Sequence, residues 1–446
     1  MTYSAEPSPP NLPTGASTLS PVGAFGHNHP SAYLRDLLLS AHLSIGERVA
    51  LTPMALEAGR ISITPASPEH PELVIRDNGG GLMPGTLLSL LAALNEAPAQ
   101  AADASASSGP NTGADPSAGA GLSTAALPES LAPLATGLRA AGTVAEHVVV
   151  ETRPLNGPAS RLSGPAGGPY AISPLVTADV HEVPVGTTVR LTPRPAAAQL
   201  ATYSHLWAQA VRYGEFLPVT LEVVGPRGSD RYVNRNPPFT QLLTSRVSGG
   251  LATWESAARR EAAPDDFAEL AQFSDAADLE HVLAYGAEIG CEAPLAAIAF
   301  ECATTGTRGT AFVRATAPAP APEPGPGQAI SARVYVDGVL AAEHASALVP
   351  DWAPFVDLAC ESTGLTPSAR AGDLVNRAGD LANDAALAAT RAEIDAALRS
   401  WIIGTAHEDP AGMDVLISRH GPNLHALAAR DRAVRTALSH APITGG

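Results

Sequence analysis

No lysine occurs in this chain: all 27 basic side chains other than histidine are arginine. Any cationic contact to a phosphate must therefore come from a guanidinium. Charge is scarce as well. Charged residues make up 16% of the sequence and the formal net charge is −17, which excludes general nucleic-acid binding, since that requires a basic surface to neutralise phosphates. The cysteines are few, Cys291, Cys302 and Cys360, and lack metal-ligand spacing, so they read as reduced, buried thiols of a reducing compartment. His27, His29 and His42 fit no common metal-ligand set, and the acid-rich run at 261–280 lacks the spacing of a calcium loop. No apolar run reaches transmembrane length. The Pro- and Ser-rich stretch from Met1 to Phe25 has no basic segment followed by an apolar core, so it does not read as a signal peptide. The expectation is a soluble, cytoplasmic protein with neither membrane nor nucleic acid as partner.

What is present is apolar. Hydrophobic residues reach 45% over 446 residues, enough for two or three domains with their own cores. Residues 1–24 are expected to be a disordered tail, because little in them can be buried. Leu34, Leu37, Leu38, Ala41 and Ile45 recur at the spacing of one helical face and predict a helix over His29–Val49. Arg60–Pro65 and Glu72–Arg76 read as a β-hairpin, and Thr86–Leu94 as a second helix. From about 98 to 130 the composition falls to Ala, Ser, Gly, Pro and Asp, a low-complexity insertion. A helix is expected over Leu131–Ala145, strands over Val148–Arg153 and Gly186–Thr192, a helix over Ala197–Phe216, and a strand over Pro218–Val224. A second domain of mixed strands and helices is placed at 216–446. It contains strands near Ala296–Cys302, Gly309–Val313 and Ala332–Leu340, an extended Pro-rich spacer at about 316–328, and a helical end from about 380.

The stretch Leu73-Val-Ile-Arg-Asp-Asn-Gly-Gly-Gly-Leu82 concentrates the chemistry. A β-rich run ends in an aspartate and passes into an Asp-x-Gly-x-Gly turn, which sets a carboxylate at a pocket mouth and lets bare backbone approach a ligand. Taken alone, Asp77-Asn78-Gly79 is also an ordinary turn. The helical run Tyr33-Leu-Arg-Asp-Leu-Leu-Leu-Ser-Ala41 offers an opposite wall.

These pieces, with Gly186-Thr-Thr-Val-Arg-Leu191, Tyr213-Gly-Glu-Phe-Leu-Pro-Val219, Val233-Asn-Arg-Asn-Pro-Pro-Phe239, Val334-Tyr-Val336 and Leu348-Val-Pro-Asp-Trp-Ala-Pro-Phe-Val356, stand in one order. That order resembles the ninety-kilodalton heat-shock chaperone family, HtpG in bacteria, over about residues 25–430. The resemblance implies a GHKL-type α/β sandwich over 25–215, a mixed sheet under a helical layer. A chaperone middle-type α/β domain with a helical end would follow at 216–446. It implies ATP or ADP as ligand, with magnesium, and unfolded or client proteins as partners. Asp77 would accept a hydrogen bond from the adenine amino group. Gly79 and Gly81 would keep the wall beneath it clear, Leu82 would complete that wall, and Thr187 would help to bind the same base edge.

The phosphate side departs from the family. Asp36 stands where a glutamate positions the attacking water, and Ser40 where an asparagine ligates magnesium. Asp36 is one methylene short for a water-positioning base. The glycine-rich phosphate loop is reduced to Leu134-Ala-Thr-Gly137, leaving Gly137 as its phosphate contact. Asn95-Glu96 replaces a basic residue. Arg370 stands one place from the family's γ-phosphate arginine, where this chain has Ala371. The sequence stops soon after the helical stretch at 413–420, so a constitutive C-terminal dimer is not expected. Weak or absent hydrolysis is the resulting expectation, with a non-catalytic interaction scaffold as the alternative.

Overall fold

The apolar periodicity of the N-terminal half builds a helical layer on one face of a sheet. In the computed structural model of the chain, the described residues are 31–52, 58–95, 131–175, 183–225, 230–240, 279–291, 293–316, 330–365 and 384–440. The expected tail, the 98–130 insertion, His27, His29 and Arg370 lie outside them, as do all but the ends of the Pro-rich spacer and the acid-rich run.

Helix α1 (Ala32–Leu51) is followed by strands β1 (Arg60–Thr64) and β2 (Leu73–Asp77), then helices α2 (Pro84–Asn95) and α3 (Leu131–Ala140). Strands β3 (Ala145–Arg153), β4 (Ser160–Pro165), β5 (Ala171–Pro174) and β6 (Gly186–Pro193) come next. Helix α4 (Tyr203–Gly214) leads to β7 (Thr220–Val224) and β8 (Asp230–Tyr232). The eight strands form one sheet in the order β5-β4-β3-β6-β2-β1-β7-β8. It is antiparallel throughout except for the parallel pair β1–β7.

Alternation divides the faces of this sheet. Ile61, Ile63, Leu73, Ile75, Val148, Val150, Val189, Leu191, Leu221 and Val223 are all buried in one core cluster with Leu34, Leu37, Leu38 and Ile45 of α1. Each such leucine or isoleucine contributes about 1.5–3 kcal/mol by leaving water. The opposite face carries charge, as an antiparallel sheet with one solvated side permits. Glu151 bonds Arg161 at 2.6 Å and Arg190 at 3.1 Å, and Arg60 forks onto Glu222 at 2.9 and 2.5 Å. Burial alone would raise the Glu151 carboxyl, but its two arginines hold it below the ordinary value.

Two of the expected helices are shorter than the periodicity implied. The Leu131–Ala145 segment leaves α3 at Ala140 for a 3-10 turn, Ala141–Thr143, and is a strand from Ala145. The Ala197–Phe216 segment is broken at Thr202, whose extended backbone (φ −76°, ψ 155°) separates the 3-10 turn Pro195–Ala201 from α4. The position expected to open a second domain, residue 216, falls inside the first sheet's territory: β7 pairs with β1 because Leu221 and Val223 continue its apolar face.

The second half contains a helix spanning 279–288, here α5, and strands β9 (Ala296–Cys302), β10 (Thr307–Val313), β11 (Ala332–Val336), β12 (Val339–Ala342) and β13 (Val356–Ser362). They form a sheet in the order β12-β11-β13-β10-β9, with β11–β13 its parallel pair. Helices α6 (Asp384–Glu408), α7 (Pro410–Arg430) and α8 (Arg432–His440) close the chain. Their apolar residues Ile394, Leu398, Met413, Leu416, Leu424 and Val434 share a second core with this sheet. The architecture is therefore mixed α and β with two mixed sheets. Among the described residues no helix is long and apolar enough to cross a membrane.

The two halves share packing. Asp337 and Gly338 both have positive φ (51° and 76°) in the two-residue turn joining β11 to β12, as a tight hairpin requires. A Cβ on Gly338 would stand 2.5 Å from the Phe216 carbonyl oxygen, so the bare hairpin tip seats against the end of α4. Phe216, Phe239, Tyr285 and Tyr335 pack ring on ring at centroid separations of 4.9–5.7 Å. The Tyr285 and Tyr335 hydroxyls are bonded at 2.8 Å. Arg212 of α4 adds a fork onto Glu343, both bonds 2.7 Å.

Candidate functional site

The site lies where three central strands of the first sheet end together. Register pairs Thr152 with Thr187 and Arg153 with Gly186 across β3 and β6, and Arg76 with Thr188 across β2 and β6. Asp77, the last residue of β2, thus comes beside Thr187 near the start of β6. Over these ends runs α1. Its residues Leu37, Ser40, Ala41 and Ser44, one face at helical spacing, line a cleft with Ile75, Asp77, Leu82, Leu134, Thr187 and Val189. The cleft is open at its mouth, and the space within it that the centre of a water could occupy is about 20 Å³.

Among the described residues of that lining Asp77 is the only ionisable group. Its Oδ1 accepts from the Gly79 N–H at 2.8 Å and from the Thr187 N–H at 3.3 Å, and Oδ2 takes neither bond. Burial pushes its pKa up to about 7, against the lowering pull of those two N–H groups and of Arg76 and Arg48. A carboxyl shifted by burial in this way, inside a cleft, is a candidate functional group.

The turn after Asp77 is held from two sides. Ser44 O accepts from Gly80 N at 3.0 Å, and the Arg48 guanidinium donates to the Asn78 carbonyl. Asn78 fastens the hairpin: its Oδ1 accepts from Arg60 N at 2.8 Å and its Nδ2 donates to Ala58 O at 2.9 Å. Thr152 Oγ1 receives the Leu82 N–H at 2.7 Å and sits 3.3 Å from Thr187 Oγ1. The glycines are there for space. A Cβ on Gly79 would meet Ser44 Oγ at 2.3 Å, and one on Gly81 (φ +67°) would meet the Arg153 carbonyl oxygen at 2.3 Å. At Gly186 (φ +117°) it would stand 2.2 Å from the Asp77 carbonyl oxygen. Gly186→Ala should therefore destabilise the protein by at least about 1–3 kcal/mol from backbone strain alone, read as a lower urea midpoint. A midpoint equal to the parent's would mean that this crossing is loose.

The expected site residues divide. Asp77, Ser40, Leu82 and Thr187 line the cleft, and Gly79 and Gly81 shape the turn beside it. Asp36 is buried on α1 but is not among the lining residues; its Oδ1 bonds its neighbour Arg35 at 2.8 Å, and its Oδ2 has no hydrogen-bond partner. Gly137, expected in a phosphate loop, instead lies inside α3, where a Cβ would approach the Leu37 backbone nitrogen to 3.2 Å. It is a packing glycine that lets α3 close onto α1, and an N–H in mid-helix belongs to the helix ladder rather than to an anion nest. Ser40 offers one neutral hydroxyl, with no Asp36 carboxylate in the lining beside it. Among the described residues no group of three or more His, Cys, Asp or Glu is arranged to hold a metal. These side chains do not form a magnesium site by themselves.

Sequence reasoning missed Ser44, Arg48, Thr152 and Gly186. Ser44 was open to detection, being one turn beyond Ser40 and three residues from Ala41 on the same face. Thr152 carries no local signal, and Gly186, though it opens the Gly186–Leu191 motif, comes to Asp77 only through strand pairing. Comparison with known proteins adds no assignment: no protein-family model matches the chain, nor does any curated protein.

Proposed function

We propose that this cleft binds the adenine end of ATP or ADP and that the chain is a divergent HtpG-like chaperone of GHKL type, acting on unfolded or client proteins. The observation that carries the reading is Asp77: a buried carboxyl, held by two backbone N–H groups on one oxygen, in a cleft that is otherwise apolar and hydroxylic. A base edge with an amino donor satisfies its remaining oxygen, and a ligand lacking that donor leaves it unpaired, which is how a site built around a polar group discriminates. The collinear motifs of the sequence support the family reading and the helical layer over a mixed sheet agrees with it.

Within that reading hydrolysis is weak or absent. Asp36 is bonded to Arg35 and stands outside the cleft lining, and a general base must reach the water it activates. This placement favours, as second reading, a non-catalytic scaffold that keeps the fold without turnover. The test is calorimetric titration of the full chain with ADP and with ATP, each with and without magnesium, beside a turnover assay. Saturable binding of both nucleotides with little dependence on magnesium is expected, and turnover equal in the parent and Asp36→Ala. Failure of both nucleotides to bind would overturn the adenine assignment. Hydrolysis that disappears in Asp36→Ala would restore the enzyme.

A further inference from the structure

The Asp77 cleft contains one polar group that nothing among the described residues satisfies. Ser44 Oγ is buried and has no hydrogen-bond partner. It does not fold back on its own helix, as a helical serine commonly does. A buried hydroxyl left unpaired costs about 1–3 kcal/mol, and such groups are few in native proteins and call for an explanation. Ser44 is 7% exposed and is one of the residues that line the cleft.

Its position relative to Asp77 gives the explanation. A methyl built on Gly79 would stand 2.3 Å from Ser44 Oγ and 2.8 Å from Asp77 Oδ1, so the two side chains flank the same point of the turn from opposite walls. Thr187, the next polar lining residue, already has its N–H on Asp77 and its hydroxyl beside Thr152. The cleft is left with a carboxylate whose Oδ2 takes neither backbone bond and, across Gly79 from its Oδ1, a hydroxyl with no hydrogen-bond partner.

We infer that Ser44 is a specificity-determining residue of the cleft: its hydroxyl donates to the ring nitrogen adjacent to an exocyclic amino group held by Asp77. The inference rests on the adenine reading and sharpens it. The complementary ligand edge is an amino donor beside a ring-nitrogen acceptor, as on 6-aminopurine. A 6-oxopurine puts a carbonyl oxygen against the Asp77 carboxylate instead and is refused.

The experiment titrates the full chain and Ser44→Ala with ADP, IDP, 1-deaza-ADP and 7-deaza-ADP, and measures thermal unfolding of both proteins without nucleotide. One neutral hydrogen bond corresponds to about a threefold to tenfold change in affinity. Ser44→Ala is expected to bind ADP weaker by that factor. One of the deaza analogues is expected to bind the parent just as weakly and to be indifferent to the substitution, while IDP binds neither protein. Without nucleotide, Ser44→Ala should melt no lower than the parent, because the hydroxyl it removes has no partner. ADP affinity unchanged in Ser44→Ala, with parent binding intact, would overturn the role of Ser44 and leave the adenine reading standing. No binding of ADP by the parent would overturn both. A clearly lower melting temperature for nucleotide-free Ser44→Ala would make the hydroxyl structural and overturn the inference on its own.

Discussion

Asp77→Asn should abolish the pH dependence that Asp77 gives this protein and, with it, most nucleotide affinity. Burial raises the Asp77 pKa from 3.8 to about 7, so the folded state holds a proton that the unfolded chain releases. The sign follows from linkage: the stability associated with this group is fully present below about pH 4 and is lost as pH rises through about 7. The whole shift corresponds to about 4 kcal/mol at 1.36 kcal/mol per pH unit. Asparagine keeps an acceptor for the Gly79 and Thr187 N–H groups and carries no charge to desolvate. The variant should therefore equal the parent near pH 4 and exceed it by a few kcal/mol at pH 8, measured by urea unfolding across that range. A difference that is flat with pH would show that Asp77 is ionised at little cost in the folded state.

The same group links pH to the ligand. An amino donor favours the ionised carboxylate, so ADP affinity in the parent should rise between pH 5 and pH 8 and binding at pH 6 should release a proton. Titration in two buffers of different ionisation enthalpy measures that proton directly. Because a hydrogen bond to a charged acceptor contributes about 1.5–3 kcal/mol, Asp77→Asn should weaken ADP binding about 10- to 100-fold at pH 8 and remove the proton release. Affinity that falls with rising pH would contradict the assigned role.

The second large effect lies at the second sheet. Arg314→Ala should destabilise the chain by about 3–5 kcal/mol, the cost of orphaning a buried charge. Arg314, at the end of β10, forks onto Asp357 of β13 with bonds of 2.7 and 2.5 Å. The Asp357 side chain is fully buried and also accepts from the Ser331 N–H at 2.7 Å and from the Cys291 thiol. The arginine also carries structure through its backbone, whose carbonyl lies 2.8 Å from His420 Nε2 at the irregular turn of α7 (φ −126° at His420). That backbone contact survives in the variant, so the loss reports the ion pair. Replacing both partners by leucine should recover much of the stability, since a buried pair is often matched by apolar packing. A loss under about 1 kcal/mol in Arg314→Ala would mean that water reaches Asp357.

Much of this is legible in the sequence itself. The apolar spacing from Leu34 to Ile45 marks α1, the alternation in Arg60–Thr64 and Leu73–Asp77 marks a hairpin, and the Asp-x-Gly-x-Gly run marks the turn that bears Asp77. These signals are local: a repeat of 3.6 or 2 residues reports which side of an element is buried, and a glycine run reports backbone that must stay bare. Helix ends were less legible at Ala140 and Thr202, because the apolar composition continues across both breaks while the hydrogen bonding does not.

What the tertiary structure alone decided is which of those elements meet. Strand order brings Thr152 and Gly186 to Asp77 from 75 and 109 positions away, and no local pattern encodes such a pairing. The rotation of α1 against the sheet turns Ser44 into the cleft lining while Asp36, two turns earlier, is held by Arg35. Close approach of α3 makes Gly137 a packing residue where a phosphate loop was expected. The pairing of β7 with β1 carries the first sheet past residue 216, and the seat of Gly338 on Phe216 joins the two halves. The amino-acid sequence by itself determined the elements and the chemistry each carries, because propensity and periodicity act over a few residues. Long-range strand pairing and close packing, which select among many arrangements of the same elements, decided which of those side chains share a site.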